Sequence, residues 1–499
     1  MVQMSVEIYH GLAIIFYLIL MLFIGWYGYK KTTDLDDYML GGRSLGAAVT
    51  ALSAGAADMS GWLLMGLPGE IYTVGLSATW MAIGLTLGSY LNWLFVAPRL
   101  RVYTQVANNS ITIPSFFDNR LKDRSGILRI ASGIVILVFF TFYVSSGIVA
   151  GGKFFQSSFN LDYHVGVLIV GAVVIAYTLF GGFLAVSYTD AVQGFIMFFA
   201  LLLVPIGGLI LTGSIQDTTT AILEVNPDAF NVFKDVSGFV VISGLAWGLG
   251  YFGQPHIIVR FMAISSVKET TRARRIGISW MILSLLGASA TALVGVAYFH
   301  KNPDQLLIDP ETVFIDLGQI IFHPFVAGII LAAVLAAIMS TISSQLIVTS
   351  SALVEDLYKA VIKQNASDKH YVFLGRLAVL IVAIIALILA WPNDESILQL
   401  VSFAWAGFGG AFGPIIILSL YWKKITRTGA LAGMVTGAIV VGVWGNIDIL
   451  TNTLYEIFPG FILNLLVTIV ISRLTYKKDF EIEHEFNQTL ATMERERNS

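Results

Sequence analysis

The 499-residue sequence contains no cysteine, which excludes disulfides, thiolate metal centres and thiol chemistry but says nothing about compartment. Charge is scarce too. Lys, Arg, Asp and Glu together make up 12% of the chain, about half of what a soluble protein carries. A net charge of −3 leaves no basic surface for nucleic acid. The seven histidines are scattered, with no His-x-x-x-His pair, so a zinc-type centre lacks its ligands. Neither a GxxxxGK[ST] phosphate loop nor a Gly-x-Ser-Gly segment occurs, so ATPase and intramembrane-protease readings lose support, and nothing points to an enzyme. Met1–His10 has no Lys or Arg, and the basic pair Lys30–Lys31 follows the first apolar run, which is not the order of a secretory signal.

What is present is apolar. Hydrophobic residues make up 56% of the chain, in recurring runs of roughly 20 residues, each long enough to cross a hydrocarbon core about 30 Å thick. The pattern predicts an all-α polytopic membrane protein with about thirteen spans, near 7–29, 45–67, 76–98, 128–150, 165–185, 191–213, 238–259, 277–299, 320–349, 371–391, 397–421, 426–445 and 453–472. With the N-terminus outside, 26 of the 29 Lys and Arg residues fall in inner loops or the tail, Arg260 and Arg275 bounding one such loop; only Lys153, Lys234 and Lys301 lie outside. The positive-inside rule therefore predicts N-out and C-in, consistent with an odd number of spans. The loops are short, so residues 1–472 read as one transmembrane domain embedded in a lipid bilayer. Residues 473–499 alternate acids and bases, as a solvated cytoplasmic helix or frayed end would.

Three spans are not built as plain anchors. The second carries SAGAADMSG (53–61), with Asp58 in its middle. The seventh carries GLAWGLGYFGQPH (244–256), and the ninth carries AAIMSTISSQ (336–345). A carboxylate at such depth costs at least a few kcal/mol and is usually functional. Gly and Pro weaken the helical ladder, and an interrupted helix offers free C=O and N–H groups at mid-membrane depth. Small residues also serve close helix packing. Two interrupted spans five apart nevertheless predict two inverted five-helix repeats, spans two to six and seven to eleven (about 45–213 and 238–421), with a site where the breaks meet. Ser340, Thr341, Ser343 and Ser344 offer neutral oxygens suited to a hard monovalent cation. Trp62, Tyr143, Trp247 and Tyr251 add aromatic faces.

The stretches DDYMLGGRSLG (36–46), TALSAGAADMSGWLLMGLPG (50–69), WGLGYFGQPHIIVRFMA (247–263) and LAAIMSTISSQL (335–346) closely resemble the sodium/proline symporters of the sodium/solute symporter family. The resemblance runs from about residue 7 to 472. It implies the five-plus-five inverted-repeat fold of the bacterial leucine transporter and sodium-coupled uptake of L-proline across the bacterial cytoplasmic membrane. It implies sodium as the coupling ion, no other cofactor and no obligatory protein partner. Carried over, the sodium ligands fall on the carbonyls of Ala56, Met59 and Ala337 and the hydroxyls of Ser340 and Thr341. Asp58 is then a ligand or a nearby charge. The proline positions fall on Ser60, Gly61, Trp62, Tyr143, Trp247, Tyr251, Gln254 and Pro255. Arg43 matches a basic residue that affects coupling. Asp190 reads as the N-cap of the sixth span, or, with Ser343 and Ser344, as the second sodium site of some relatives.

Two other readings stay open. One is a symporter of the same fold for another small solute, such as a monocarboxylate or pantothenate. The other is a sensor module fused to signalling domains, for which fewer than 30 residues after the last span leave no room.

Overall fold

The computed structural model of the chain describes residues 5–31, 35–180, 182–359, 367–392 and 396–498. Gly181, inside the fifth apolar stretch, lies outside that set. Among the described residues there is no β-strand; one isolated parallel bridge joins Leu45 and Ile264.

The helices that matter here are α1 (Val6–Lys30), α2 (Ala47–Asp58), α3 (Leu67–Val74), α4 (Leu76–Val106), α5 (Ile113–Leu121), α6 (Ile127–Phe159), α7 (Tyr163–Phe180) and α8 (Phe183–Thr212). After a short α9 (Ile215–Val225) come α10 (Gly238–Ala246), α11 (Pro255–Ala263), α12 (Val267–Lys301), α13 (Val313–Ile321) and α14 (Pro324–Tyr358). The chain ends with α15 (Asp368–Leu389), α16 (Ile397–Tyr421), α17 (Arg427–Trp444), α18 (Ile457–Thr475) and α19 (Phe480–Asn498). Ten of the described helices are long and apolar enough to cross a membrane, so the chain is a multi-pass helical membrane protein. The apolar stretches fall on helices, with shifted ends. The sixth begins at Phe183 rather than near 191, and the third, fourth and ninth run on to Val106, Phe159 and Tyr358.

Burial sorts the helices into a centre and a rim. In its most apolar stretch α14 is 83% buried within the protein, against 28% for α1 and 33% for α15, α17 and α18. The rim helices expose large apolar side chains such as Phe16, Phe23, Ile388 and Ile439, which only lipid can cover. The centre belongs to the helix rich in hydroxyls. A helix buried on all sides is free to carry polar side chains where they find partners.

The second and seventh apolar stretches are not single helices. α2 stops at Asp58 and the helical path resumes at Trp62; α10 tightens into a 3-10 turn over Trp247–Phe252 before α11 starts at Pro255. On the basic face of the bundle the two interrupted stretches are joined: Leu45 N–H donates to Ala263 C=O (3.1 Å) and Ser265 N–H to Leu45 C=O (2.9 Å).

Candidate functional site

The break after α2 follows from its residues. The ladder's last bond runs from Met59 N–H to Gly55 C=O (2.8 Å), and Met59, at φ −81° and ψ 79°, turns out of the helix. Ser60 N–H then reaches back to Asp58 C=O (3.0 Å) and Leu63 N–H to Ser60 C=O (3.1 Å), starting the next turn. The Trp62 indole N–H holds the gap shut at Asp58 C=O (3.0 Å). Gly61 lies against α6, where a Cβ would crowd Ala150.

Four of the six sodium-site residues expected from sequence meet here. The Ser340 hydroxyl donates to Ala56 C=O (2.8 Å) and lies 3.1 Å from Ala337 C=O, while the Thr341 hydroxyl reaches Ala56 C=O at 3.3 Å. All four residues are buried. Two hydroxyls and two carbonyls converging at a helix break form a neutral, all-oxygen cluster suited to a hard cation. Met59 follows at the bend. The Asp58 carboxylate is engaged from the other side: its Oδ2 accepts from the Tyr251 hydroxyl, and its Oδ1 is buried with no hydrogen-bond partner among the described residues. Among the described residues no basic side chain bonds it.

The residues expected around proline divide into two groups. Tyr143, from α6, packs edge-on against the His256 ring (5.6 Å between centroids), beside Pro255, and its hydroxyl is buried without a partner. Tyr251, Gln254 and Trp247 instead surround Trp405 of α16. The Tyr251 ring meets the Trp405 indole edge-on at 5.0 Å, the Gln254 amide donates to Trp405 C=O (3.0 Å), and the Trp405 indole N–H donates to Trp247 C=O (2.7 Å). This approach requires glycine at 250, since a Cβ there would overlap the indole. The Trp247 ring itself stacks on Tyr455 (4.9 Å, 27°) and is only partly buried. Among the described residues, the buried Gln254 Oε1 and both His256 ring nitrogens have no hydrogen-bond partner.

Two expectations are corrected here. Asp190 does not cap the sixth helix: α8 begins at Phe183 with Gly182 as its cap, so Asp190 sits about two turns in. Arg260 is not a loop residue. It lies on α11, 1% exposed, with its guanidinium 3.0 Å from Asp190 Oδ2. Ser53 (2.9 Å) and Ser344 (3.1 Å) donate to the same oxygen, so one carboxylate ties together α2, α8, α11 and α14. Ser343 stands apart, bonding back to Ser340 C=O (3.1 Å).

Arg43, left-handed at φ 54° after Gly41 and Gly42, lies on the basic face. Its guanidinium donates to the Thr104 hydroxyl, Met262 C=O and Ser110 C=O, all at 2.9 Å. It therefore pins the approach to α2 onto the end of α4 and onto α11.

Sequence reading missed Trp405, His256 and the Arg260–Asp190 pair. Trp405 stands in FAWAGFGG (403–410), where large rings alternating with Ala and Gly mark close helix contact. His256 and Arg260 are four apart on a short helix, so they share a face.

A membrane bundle whose two interrupted helices meet beside a central hydroxyl-bearing helix is a transporter architecture. The fold matches that of a sodium-coupled sialic acid symporter solved in a substrate-bound outward-open state, with a TM-score of 0.80 at 20% identity, over 94% of this chain and 99% of that one. It matches less closely a nucleobase-cation-symport-1 family transporter, with a TM-score of 0.52 at 14% identity, over 90% and 98% of the two chains. The chain belongs to the Sodium:solute symporter family, whose sequence profile matches residues 38–437. It is 61% identical over 473 residues to the high-affinity proline transporter PutP of Bacillus subtilis (strain 168), covering 95% of this chain and 100% of that protein. It is 55% identical to the osmoregulated proline transporter OpuE of the same organism, covering 95% and 96%. It is 54% identical to sodium/proline symporter 2 of Staphylococcus saprophyticus, covering 95% and 94%.

Proposed function

We propose that this chain takes up L-proline with sodium by alternating access across the cytoplasmic membrane of a bacterium. The observation that carries the reading is the convergence of Ala56 C=O, Ala337 C=O and the Ser340 and Thr341 hydroxyls within 3.3 Å at the break in the second span. Its relatives named as proline transporters supply the substrate.

In this reading sodium takes the lone pairs of those four oxygens, with the Met59 carbonyl completing the set. The hydroxyl protons that now point at Ala56 C=O turn away. Asp58 supplies the compensating charge. Two unit charges about 4 Å apart interact by about 4 kcal/mol at an effective dielectric constant of 20, enough to set whether the ion binds. Ordering the break orders Ser60, Gly61 and Trp62, which receive the proline carboxylate as Ser60 N–H and Trp62 N–H leave Asp58 C=O and the Ser60 hydroxyl. Tyr143, Trp247, Tyr251, Gln254 and Pro255 enclose the ring and its ammonium end.

Counting the two interrupted stretches and Tyr163–Phe180 as crossings gives thirteen spans, arranged as five-plus-five inverted repeats within one domain of residues 1–472. The N-terminus is then outside and the basic face cytoplasmic. Asp190 belongs to a structural ion pair: Arg260 already supplies the positive charge that a second sodium would bring, so one sodium accompanies each proline. Arg43 couples the site to the inner gate by holding α2 against α4 and α11.

Purified protein in proteoliposomes is the test. An inward sodium gradient should drive accumulation of labelled proline, unlabelled proline should compete, and a monocarboxylate or pantothenate should not. Accumulation that ignores the gradient, or competition by those acids and not by proline, would overturn the assignment. Reporters fused after Ser499 and inserted between Asn302 and Asp309 should lie on opposite sides of the membrane, the first cytoplasmic.

A further inference from the structure

The tail, expected as a solvated helix or a frayed end, is a helix docked on the bundle. In α19 the residues facing the bundle are Ile482, Glu485 with Phe486, Thr489, Met493 and Glu496, a spacing of three and four that puts them on one face. Phe486 meets the Tyr103 ring edge-on at 6.2 Å, and Met493 packs with Val102 and Val267. Lys122, just past α5, lies 2.8 Å from Glu481 and 2.6 Å from Glu485. Glu496 accepts the N–H of Val267, the first residue of α12, at 3.0 Å, a carboxylate placed on a helix N-terminus.

The end of α4 that receives this face also holds the joined ends of the interrupted spans. Arg101 donates to Ile264 C=O and, at 3.1 Å, to Ser265 C=O, next to the Leu45 bridge. Arg43 binds Thr104 from the same region. Parting the inner ends of the two broken helices breaks these bonds, which join the end of α4 to the linker that leads into α12. α19 is fastened to both.

We propose that α19 is a strap that holds the cytoplasmic gate closed and is loosened by rising ionic strength inside the cell. The inference rests on the orientation argued above. The Lys122–Glu481–Glu485 cluster is the salt-sensitive part: its side chains are 21%, 64% and 13% exposed. Screening of such partly exposed charges shortens from about 10 Å at 0.1 M salt to about 3 Å at 1 M. Burial pulls the Lys122 ammonium down, but the two carboxylates outweigh it and hold its pKa above the ordinary lysine value. The lysine therefore stays charged at physiological pH, and salt rather than pH is the lever. The apolar contacts of Phe486 and Met493 keep the loosened strap near its seat, so the change is reversible.

The absence of cysteine makes the test clean. Ser351, 5% exposed, lines a narrow cavity of about 20 Å³ with Ile111, Pro114, Ile136, Pro255 and Val259, too small for a maleimide until the gate opens. In Ser351→Cys, labelling by an impermeant maleimide from the cytoplasmic side should be slow. Adding Glu481→Lys and Glu485→Lys should speed it about fivefold or more. Raising KCl from about 50 to about 500 mM should speed labelling of the Ser351→Cys parent and leave the charge-reversed protein unchanged. Adding Lys122→Glu to the charge-reversed protein should restore the slow rate. A second variant, ending at Lys478, should label as fast as the charge-reversed one. Equal rates in parent, reversed and shortened proteins, or a parent indifferent to salt, would overturn the strap. Loss of sodium-dependent proline binding in both modified proteins would also overturn it, since the strap touches no binding residue. Labelling from the opposite side of the membrane alone would instead overturn the orientation, which separates the two failures.

Discussion

Asp58 and Asp190 are alike in residue type and burial, at 3% and 0% exposure, and unlike in company. Asp190 holds an arginine and two serine hydroxyls on one oxygen. Among the described residues Asp58 has a single tyrosine hydroxyl on one oxygen and no partner on the other. Each keeps a buried Oδ1 with no hydrogen-bond partner among the described residues; a buried carboxylate paired with an arginine joins helices, whereas one left short of a counter-charge beside a cluster of neutral oxygens is set to attract a cation. The difference lies in the neighbours, and each neighbour can be removed.

The largest effect is expected at Asp58. Asp58→Asn keeps size and capping ability but removes the charge, so sodium-driven uptake should fall by about two orders of magnitude or more, the scale of a few kcal/mol of lost attraction. Asp58→Glu keeps the charge and displaces it, and should retain some uptake at a much higher sodium requirement. Uptake assays across a sodium series read both. The opposite signature is expected at Asp190. Asp190→Asn strands Arg260, which costs about 3–5 kcal/mol, seen as less folded protein in the membrane. Combining it with Arg260→Gln should recover most of that protein with sodium dependence near normal. A large shift in sodium requirement in the recovered double variant would erase the distinction between the two aspartates.

Smaller effects sharpen the contrast. Ser340→Ala and Thr341→Ala each remove one oxygen worth about 1 kcal/mol, so half-saturating sodium should rise about five- to tenfold with protein levels near normal. Smaller still, Trp247→Ala and Tyr251→Ala remove aromatic contacts worth about 0.5–1.5 kcal/mol beyond buried area. Both should weaken apparent proline affinity several-fold and more than they weaken sodium affinity, measured by equilibrium binding of each.

Much of this was legible in the sequence because membranes make composition informative. Apolar runs and the Gly- and Pro-rich interruptions of the second and seventh stretches appear as helices and breaks, since lipid leaves a backbone few alternatives. The hydroxyls at 340 and 341 stood out because the stretch of α14 before them, from Val326 to Met339, is apolar throughout. What was not legible is pairing across long separations. Asp190 and Arg260 are 70 residues apart, and Arg260 sits among other basic residues near the end of a stretch, where a loop charge is the ordinary reading. Asp190 looked like a cap because the start of α8 was placed too late. The docking of the tail helix was missed for a related reason. Its alternating charges suit water as well as they suit Lys122 and the start of α12, and only the fold supplies those partners.

The central claim is that the unpaired charge of Asp58 lets sodium organise the proline site. The most direct measurement is equilibrium proline binding to detergent-solubilised protein with and without sodium, in wild type and Asp58→Asn. Wild type should bind proline far more tightly with sodium, and proline should tighten sodium binding by the same factor, as linkage requires. In Asp58→Asn the sodium-dependent gain should vanish while weak sodium-independent binding persists. If the Asn variant keeps the full gain, the charge of Asp58 does not serve sodium, and the proposed role is wrong.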